Sequence, residues 1–86
     1  MPKISEFYGI AIYMYYRDHA PPHFHAIYSG WEAEVEISSG EPIEGSLPPA
    51  ARRLVRIWTI EHRAHLLANW QRARSGREVV PVAPLE

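Results

Sequence analysis

The first half of the chain follows the period of β-strands. Residues 8–16 are β-branched or aromatic on both parities, which predicts a strand covered on both faces. Residues 23–28 predict a second strand and residues 31–38 a third, in which apolar odd positions alternate with three glutamates and a serine. Ser29-Gly30 lies between the last two and is typical of a tight hairpin turn.

The apolar parity of the two later strands also predicts their register. An even loop centred on Ser29-Gly30 sets Phe24 opposite Val35 on the apolar face, whereas a slip of one residue moves Phe24 onto the glutamate face. On the other face the predicted pairs are His23 with Glu36 and His25 with Glu34. We therefore expect a patch of two histidines and two glutamates on the sheet.

Beyond a turn-rich connector at residues 41–46, which has room for one short strand, the apolar period becomes helical. Pro48 and Pro49 suit a helix start, and Ser75-Gly76 suits a stop, so the pattern predicts one long helix over about 49–74. Residues 79–84 contain two prolines and predict a short tail or edge strand.

One side of the predicted helix carries a stripe of arginines: Arg52, Arg56, Arg63 and Arg74. Ile60, Leu67 and Trp70 fall among these cations, where a monomer has little reason to leave a tryptophan. Either the helix bends near residues 62–64, or another molecule covers this surface. We therefore predict binding through the arginines together with Trp70, because both residue types are enriched at binding hot spots.

These elements predict an α+β fold in a single domain over residues 1–86. Three or four antiparallel strands in sequential hairpins would form the sheet, and the long C-terminal helix would pack on one face. A chain of 86 residues has a modest core, so a homo-oligomer or a small protein partner would add useful burial.

The amino-acid composition excludes several kinds of site and partner. The chain has no cysteine, which excludes disulfides, thiolate catalysis and cysteine-ligated zinc. No signal peptide and no apolar run long enough for a membrane helix is evident, so we expect a cytoplasmic protein without membrane contact. Residues 1–51 carry a net charge of −5 and residues 52–86 one of +4. The two halves either attract one another or serve acidic partners, nucleic acid included.

The candidate chemistry is concentrated in residues 18–25, where Asp18, His19, His23 and His25 surround a rigid double proline. The side chains of His23 and His25 point the same way from a strand, and Asp18 and His19 can lean over the same patch. Three interpretations stay open: cross-strand hydrogen bonds to Glu34 and Glu36, a divalent metal site that draws ligands from these six residues, or acid-base catalysis. No cofactor is certain. His62 and His65 are better explained as packed helix residues.

Three groups of residues resemble a known bacterial family. They are the opening Met1-Pro2-Lys3-Ile4-Ser5, the block Pro21-Pro22-His23-Phe24-His25-Ala26, and the spacing of Trp58, His62, Leu66 and Trp70. Together they resemble the family called domain of unknown function 4160 over almost the whole chain. The resemblance implies an uncharacterised protein that is often encoded beside another small protein, and membership in a toxin-antitoxin-like pair has been suggested for such proteins. It supplies no catalytic residues.

We therefore expect a cytoplasmic protein-interaction module, one member of a toxin-antitoxin-like pair. The alternative is a metal-dependent or His/Glu acid-base hydrolase, acting on RNA, in which the arginines hold phosphates and the catalytic candidates are His23, His25, Glu34 and Glu36. An open cleft at the histidines favours the enzyme, whereas histidines that are packed shut favour the module.

Overall fold

A computed structural model describes residues 2–86, which fold into a five-stranded sheet and two helices. The strands are β1 (Lys3–Phe7), β2 (Ile10–Tyr13), β3 (His23–Tyr28), β4 (Trp31–Glu36) and β5 (Pro42–Gly45), and the helices are α1 (Pro49–Glu61) and α2 (Arg63–Arg74). Each strand pairs antiparallel with the next, in the order β1-β2-β3-β4-β5. The α+β class is therefore confirmed, with more strands than the three or four predicted.

The strand predicted over residues 8–16 is confirmed only for Ile10–Tyr13, because a hairpin turn occupies its first two residues. Tyr8 and Gly9 have φ angles of 50° and 78°, and Phe7 pairs directly with Ile10 across this two-residue loop. Positive φ at both loop residues is the geometry that matches the twist of paired strands. Residues 3–7 consequently form a strand of their own, and the second strand ends at Tyr13.

The central hairpin has the predicted register. Phe24 pairs with Val35 across a loop of Ser29 and Gly30, which have φ angles of 45° and 87°. The polar-face pairs are His23 with Glu36 and His25 with Glu34. Strand β4 ends at Glu36, two residues before the predicted end. The connector then supplies the short edge strand β5, which starts at Pro42.

The helix predicted over 49–74 is bent rather than continuous, and the bend lies at His62, within the range given for that alternative. His62 has φ −117° and ψ 22°, outside helical values, and separates α1 from α2. The break allows the Trp70 side chain to be buried, at 2% exposure. A straight helix would place this side chain on the exposed side that carries the arginines. Ile60 and Leu67 remain exposed on the two helices.

Helix α1 covers one face of the sheet through Trp58, which is fully buried. Its ring contacts Phe7 and Phe24 at centroid distances of 5.1 and 5.5 Å. His23 precedes Phe24 in β3 and so points to the opposite side, where Trp70 of α2 packs on it at 5.1 Å. The break at His62 thus lets one C-terminal segment contact both sides of β3.

The tail at residues 79–84 is not a strand, although the protein holds it firmly. The backbone N–H of Val82 donates to the Ile4 carbonyl, and Val82 is buried. The side chain of Asn69 both donates to the Val80 carbonyl and accepts from its N–H, at 2.7 and 2.8 Å. Trp58 Nε1 donates to the Ala83 carbonyl. Within residues 2–86 no helix is long and apolar enough to cross a membrane.

Candidate metal centre

Two strands and one loop bring the candidate site together. His23 and His25 project from the same face of β3, and Glu34 projects from the neighbouring β4. The loop between β2 and β3 returns over this face and adds Asp18 and His19, as the sequence predicts. One ligand atom each from Asp18, His19, His23 and Glu34 can be chosen so that all four lie within 4.8 Å of one another.

The His23 imidazole is the centre of the cluster and its side chain is fully buried. Its Nδ1 lies 2.7 Å from the Pro21 carbonyl oxygen, and since a carbonyl only accepts, Nδ1 must carry a proton. The opposite nitrogen, Nε2, lies 2.9 Å from Asp18 Oδ2 and 3.0 Å from Glu34 Oε1. An Nδ1–H bond to a backbone carbonyl commonly orients histidines that bind metal through Nε2.

Asp18 is held as a carboxylate by several donors. Its Oδ2 accepts from His25 Nε2 at 3.1 Å, and its Oδ1 accepts from the His19 backbone N–H at 2.8 Å. Burial raises the pKa of Asp18, but the hydrogen bonds from His25 and His19, together with the proximity and the hydrogen bond of His23, lower it below its ordinary value. Asp18 is therefore ionised at neutral pH and is a competent metal ligand.

Glu34 contributes an oxygen without a partner. Its Oε1 is buried, and although it lies 3.0 Å from His23 Nε2, the two atoms do not meet in hydrogen-bond geometry. His19 Nε2 is 3.5 Å away on the exposed side. A buried carboxylate oxygen without a hydrogen bond is costly, and this one is directed at a histidine nitrogen.

His25 lies beside the cluster and acts through Asp18. The Tyr15 ring stacks on His25 at a centroid distance of 4.0 Å, and burial, followed by the charge of Glu32, raises the pKa of Tyr15. His25 Nδ1 is buried without a hydrogen bond and lies 3.7 Å from Glu32 Oε2. His25 therefore orients a carboxylate and has one free ring nitrogen.

The other predicted site residues lie elsewhere. Glu36 sits opposite His23 in the register but is in neither the metal-ligand cluster nor an ion pair among the described residues. Arg52 and Arg56 pair with Glu41, and Arg63 donates to the Ile37 carbonyl. Arg74 is exposed in the last turn of α2. Trp70 is buried against His23, so the prediction that it lies on a binding surface with these arginines is wrong.

Sequence reasoning missed three contributors to the site: the Pro21 carbonyl, Tyr15 and the Trp70 ring that covers His23. The double proline was a signal for the first, since it fixes the backbone just before His23. No periodic signal marks Tyr15 or Trp70, because their contacts cross from one element to another.

Comparison with known proteins gives a family without a described activity. The model of the family "Domain of unknown function (DUF4160)" matches residues 9–71, well over half of the chain. No curated protein and no solved structure was found to match. The match includes β2 to β5, α1, most of α2 and all four candidate ligands. The chain belongs to the DUF4160 family.

Proposed function

We propose that this protein binds a divalent transition-metal ion through Asp18, His23 and Glu34, with His19 at the solvent side, and that the bound ion supports hydrolysis. One observation carries the proposal. His23 Nε2 and the buried Glu34 Oε1 lie 3.0 Å apart without a hydrogen bond, and Asp18 Oδ2 lies 2.9 Å from the same nitrogen. His23 Nε2 can donate one proton at most, and Asp18 Oδ2 is in hydrogen-bond geometry to accept it, so the buried Glu34 oxygen is left without positive charge.

A proton on His23 Nε2 would supply part of that charge, since an imidazolium can donate to Asp18. A divalent cation would supply more, and it would give the unpartnered Glu34 oxygen an interaction as well. The donor set of imidazole nitrogens and carboxylate oxygens suits Zn²⁺ or Mn²⁺. Calcium is a poorer candidate because it prefers oxygen ligands alone.

The exposure of the four residues supports a catalytic site over a closed structural one. His23 is fully buried and the Asp18 and Glu34 side chains are 14% and 18% exposed, whereas His19 is 69% exposed. His23 and His25 are themselves packed shut, as expected of an interaction module, so water can reach the cluster only from the His19 side. A divalent ion lowers the pKa of a water that it binds, which is the chemistry that hydrolases use. His25 is the candidate acid-base group, since its Nε2 shares a hydrogen bond with Asp18 beside the cluster.

The test compares two neighbouring glutamates of β4. Protein purified without a histidine tag should contain Zn²⁺ or Mn²⁺ by elemental analysis. Saturating metal at about 100 times Kd should add about 2.7 kcal/mol of stability, or about 10–20 °C in melting temperature. Glu34→Gln keeps the shape of the side chain and should abolish most of this shift.

Glu36→Gln is the matched control, since Glu36 belongs to the same strand and sheet face but lies outside the cluster. It should keep the full metal-dependent shift. Equal shifts in the two variants, or no shift in the parent protein with saturating metal, would overturn the proposal. Metal-dependent cleavage of an RNA oligonucleotide that is lost in Glu34→Gln would support the hydrolase part.

A second candidate function is supported by a different surface. Ile57, Ile60 and Leu67 are 41%, 54% and 40% exposed on the two helices, close in sequence to the arginines. Exposed apolar residues beside cations suit a protein interface, as a toxin-antitoxin-like pair requires. We propose that the double change Ile60→Ser and Leu67→Ser would abolish co-purification with a small protein encoded beside this one, the kind of partner that the family resemblance implies. If co-purification persists in that variant, this surface is not the interface.

A further inference from the structure

A cavity of about 340 Å³ opens beside the N-terminal part of α1, and none of its lining residues belongs to the candidate metal centre. Its lining combines four charged residues, Glu41, Arg52, Arg53 and Arg56, with Leu47 and Pro49. Three guanidinium groups and one carboxylate leave a net charge of +2 in a single concave site. Such a concentration of arginine in a cavity needs an explanation other than a solvated helix face.

Glu41 shows how an anion can be held there. Its Oε1 accepts from Arg52 Nε at 2.8 Å, and its Oε2 lies 3.9 Å from Arg56 Nε. Gly40, with φ 72°, lets the loop approach α1 closely, since a Cβ at this position would lie 3.3 Å from Arg56 Cγ. The loop therefore carries a carboxylate to the edge of the arginine cluster and leaves the cluster with excess positive charge.

Arg53 forms no ion pair with any residue in the part of the chain that the structure describes, yet it lines the same cavity as the paired arginines. The first turn of α1 contains no acidic residue and receives no side-chain cap. Pro49, the first residue of α1, lines the cavity, so the positive end of the helix dipole lies beside it. Guanidinium donors, rather than ammonium groups, favour an oxyanion that accepts several hydrogen bonds in one plane.

From this cavity we infer a binding site for a phosphate monoester group, held by Arg52, Arg53 and Arg56. The net charge of the lining residues favours a phosphate monoester over a carboxylate. A phosphate monoester carries about −1.5 to −2 at pH 7, which matches the net +2 of the lining, whereas a carboxylate carries only −1. This site is separate from the candidate metal centre, and neither proposal depends on the other.

Isothermal titration with inorganic phosphate tests the inference, with a chelator present so that no metal ion can hold the phosphate. Saturable binding at one site per chain is expected. Arg53→Gln should weaken it about tenfold or more, as the loss of a charge-assisted hydrogen bond implies. Glu41→Gln should strengthen it, because the internal competitor for Arg52 becomes neutral. Both residues are partly or largely exposed, so a melt of each variant should match the parent.

Arg74→Gln, an exposed arginine on α2 outside the cavity, is the matched control and should bind phosphate like the parent. Parallel titrations with acetate and with a nucleoside monophosphate examine the ligand class. Acetate that binds as tightly as phosphate would overturn the monoester assignment. An absence of saturable phosphate binding, or equal weakening in Arg53→Gln and Arg74→Gln, would overturn the site itself.

Discussion

Trp70→Ala probes the contact that joins α2 to the candidate metal centre. The Trp70 side chain is 2% exposed, and its ring packs on the fully buried His23 at a centroid distance of 5.1 Å. Removing it leaves a large void beside His23, because alanine cannot fill the space between α2 and the start of β3. The expected effect is therefore a loss of folding stability in the monomer.

The magnitude follows from the burial of the ring. A buried tryptophan removes about 150–250 Å² from water, and at about 25 cal/mol per Å² this contributes about 4–6 kcal/mol. Substitution of such a ring by alanine costs about 3–5 kcal/mol once the cavity is included. A domain of 86 residues has a total stability of about 4–13 kcal/mol. The melting temperature should consequently fall by about 12 °C or more.

The assay is urea unfolding followed by circular dichroism, on chelator-treated protein so that metal does not contribute. Trp31→Ala is the matched control, because Trp31 is 47% exposed near the β3–β4 turn. It should cost less than about 1 kcal/mol, as expected for an exposed cross-strand pair. Sedimentation of each variant checks that association does not change. Equal stabilities for Trp70→Ala and Trp31→Ala would refute the contact between α2 and His23.

Two further predictions concern polar groups. The pKa of Asp18 is lowered in the folded state, so its ionised form stabilises the fold above its ordinary value of 3.8, and this contribution is lost as the pH falls through the lower folded value. The stability gap between the parent and Asp18→Asn should therefore be wide at pH 7 and close in acid, and a constant gap in urea melts across pH would contradict this. Asn69→Ala removes both hydrogen bonds to the Val80 backbone and should cost about 2–3 kcal/mol, whereas the exposed Gln71→Ala should cost almost nothing. Faster proteolysis of the tail in Asn69→Ala, but not in Gln71→Ala, would support the predicted loss of stability.

The central hairpin could be predicted because one face of each strand is apolar in the sequence. Parity then decides the register, since a slip of one residue would move Phe24 from the core to the polar face. The first hairpin lacks this signal. Phe7 and Ile10 on the two sides of Tyr8 and Gly9 are apolar, and a tyrosine with φ 50° is uncommon, so the two turn residues were predicted as the start of the strand. Only Gly9 pointed to the turn.

The helix break and the inner geometry of the site depend on contacts between elements. Sequence pattern indicated a conflict at Trp70, and the structure resolves it by a bend at His62. The side-chain contacts differ from the predicted pairs of two histidines with two glutamates. Glu34 contacts His23, its diagonal neighbour, and His25 forms its hydrogen bond with Asp18. Register fixes which backbones are opposite but not which rotamers meet, so the exclusion of Glu36 could not be predicted.

The opposite charges of the two halves have a structural explanation that differs from simple mutual attraction. Among residues 2–86, ion pairs between arginines of the second half and acids of the first involve Glu41 alone. Asp18 and Glu34 instead surround histidines at one site, and three arginines line a cavity at another. If the acidic residues of the first half paired with the arginines of the second half, neither site would keep its net charge. Their separation therefore fits one small domain with a site for a cation and a second site for an anion.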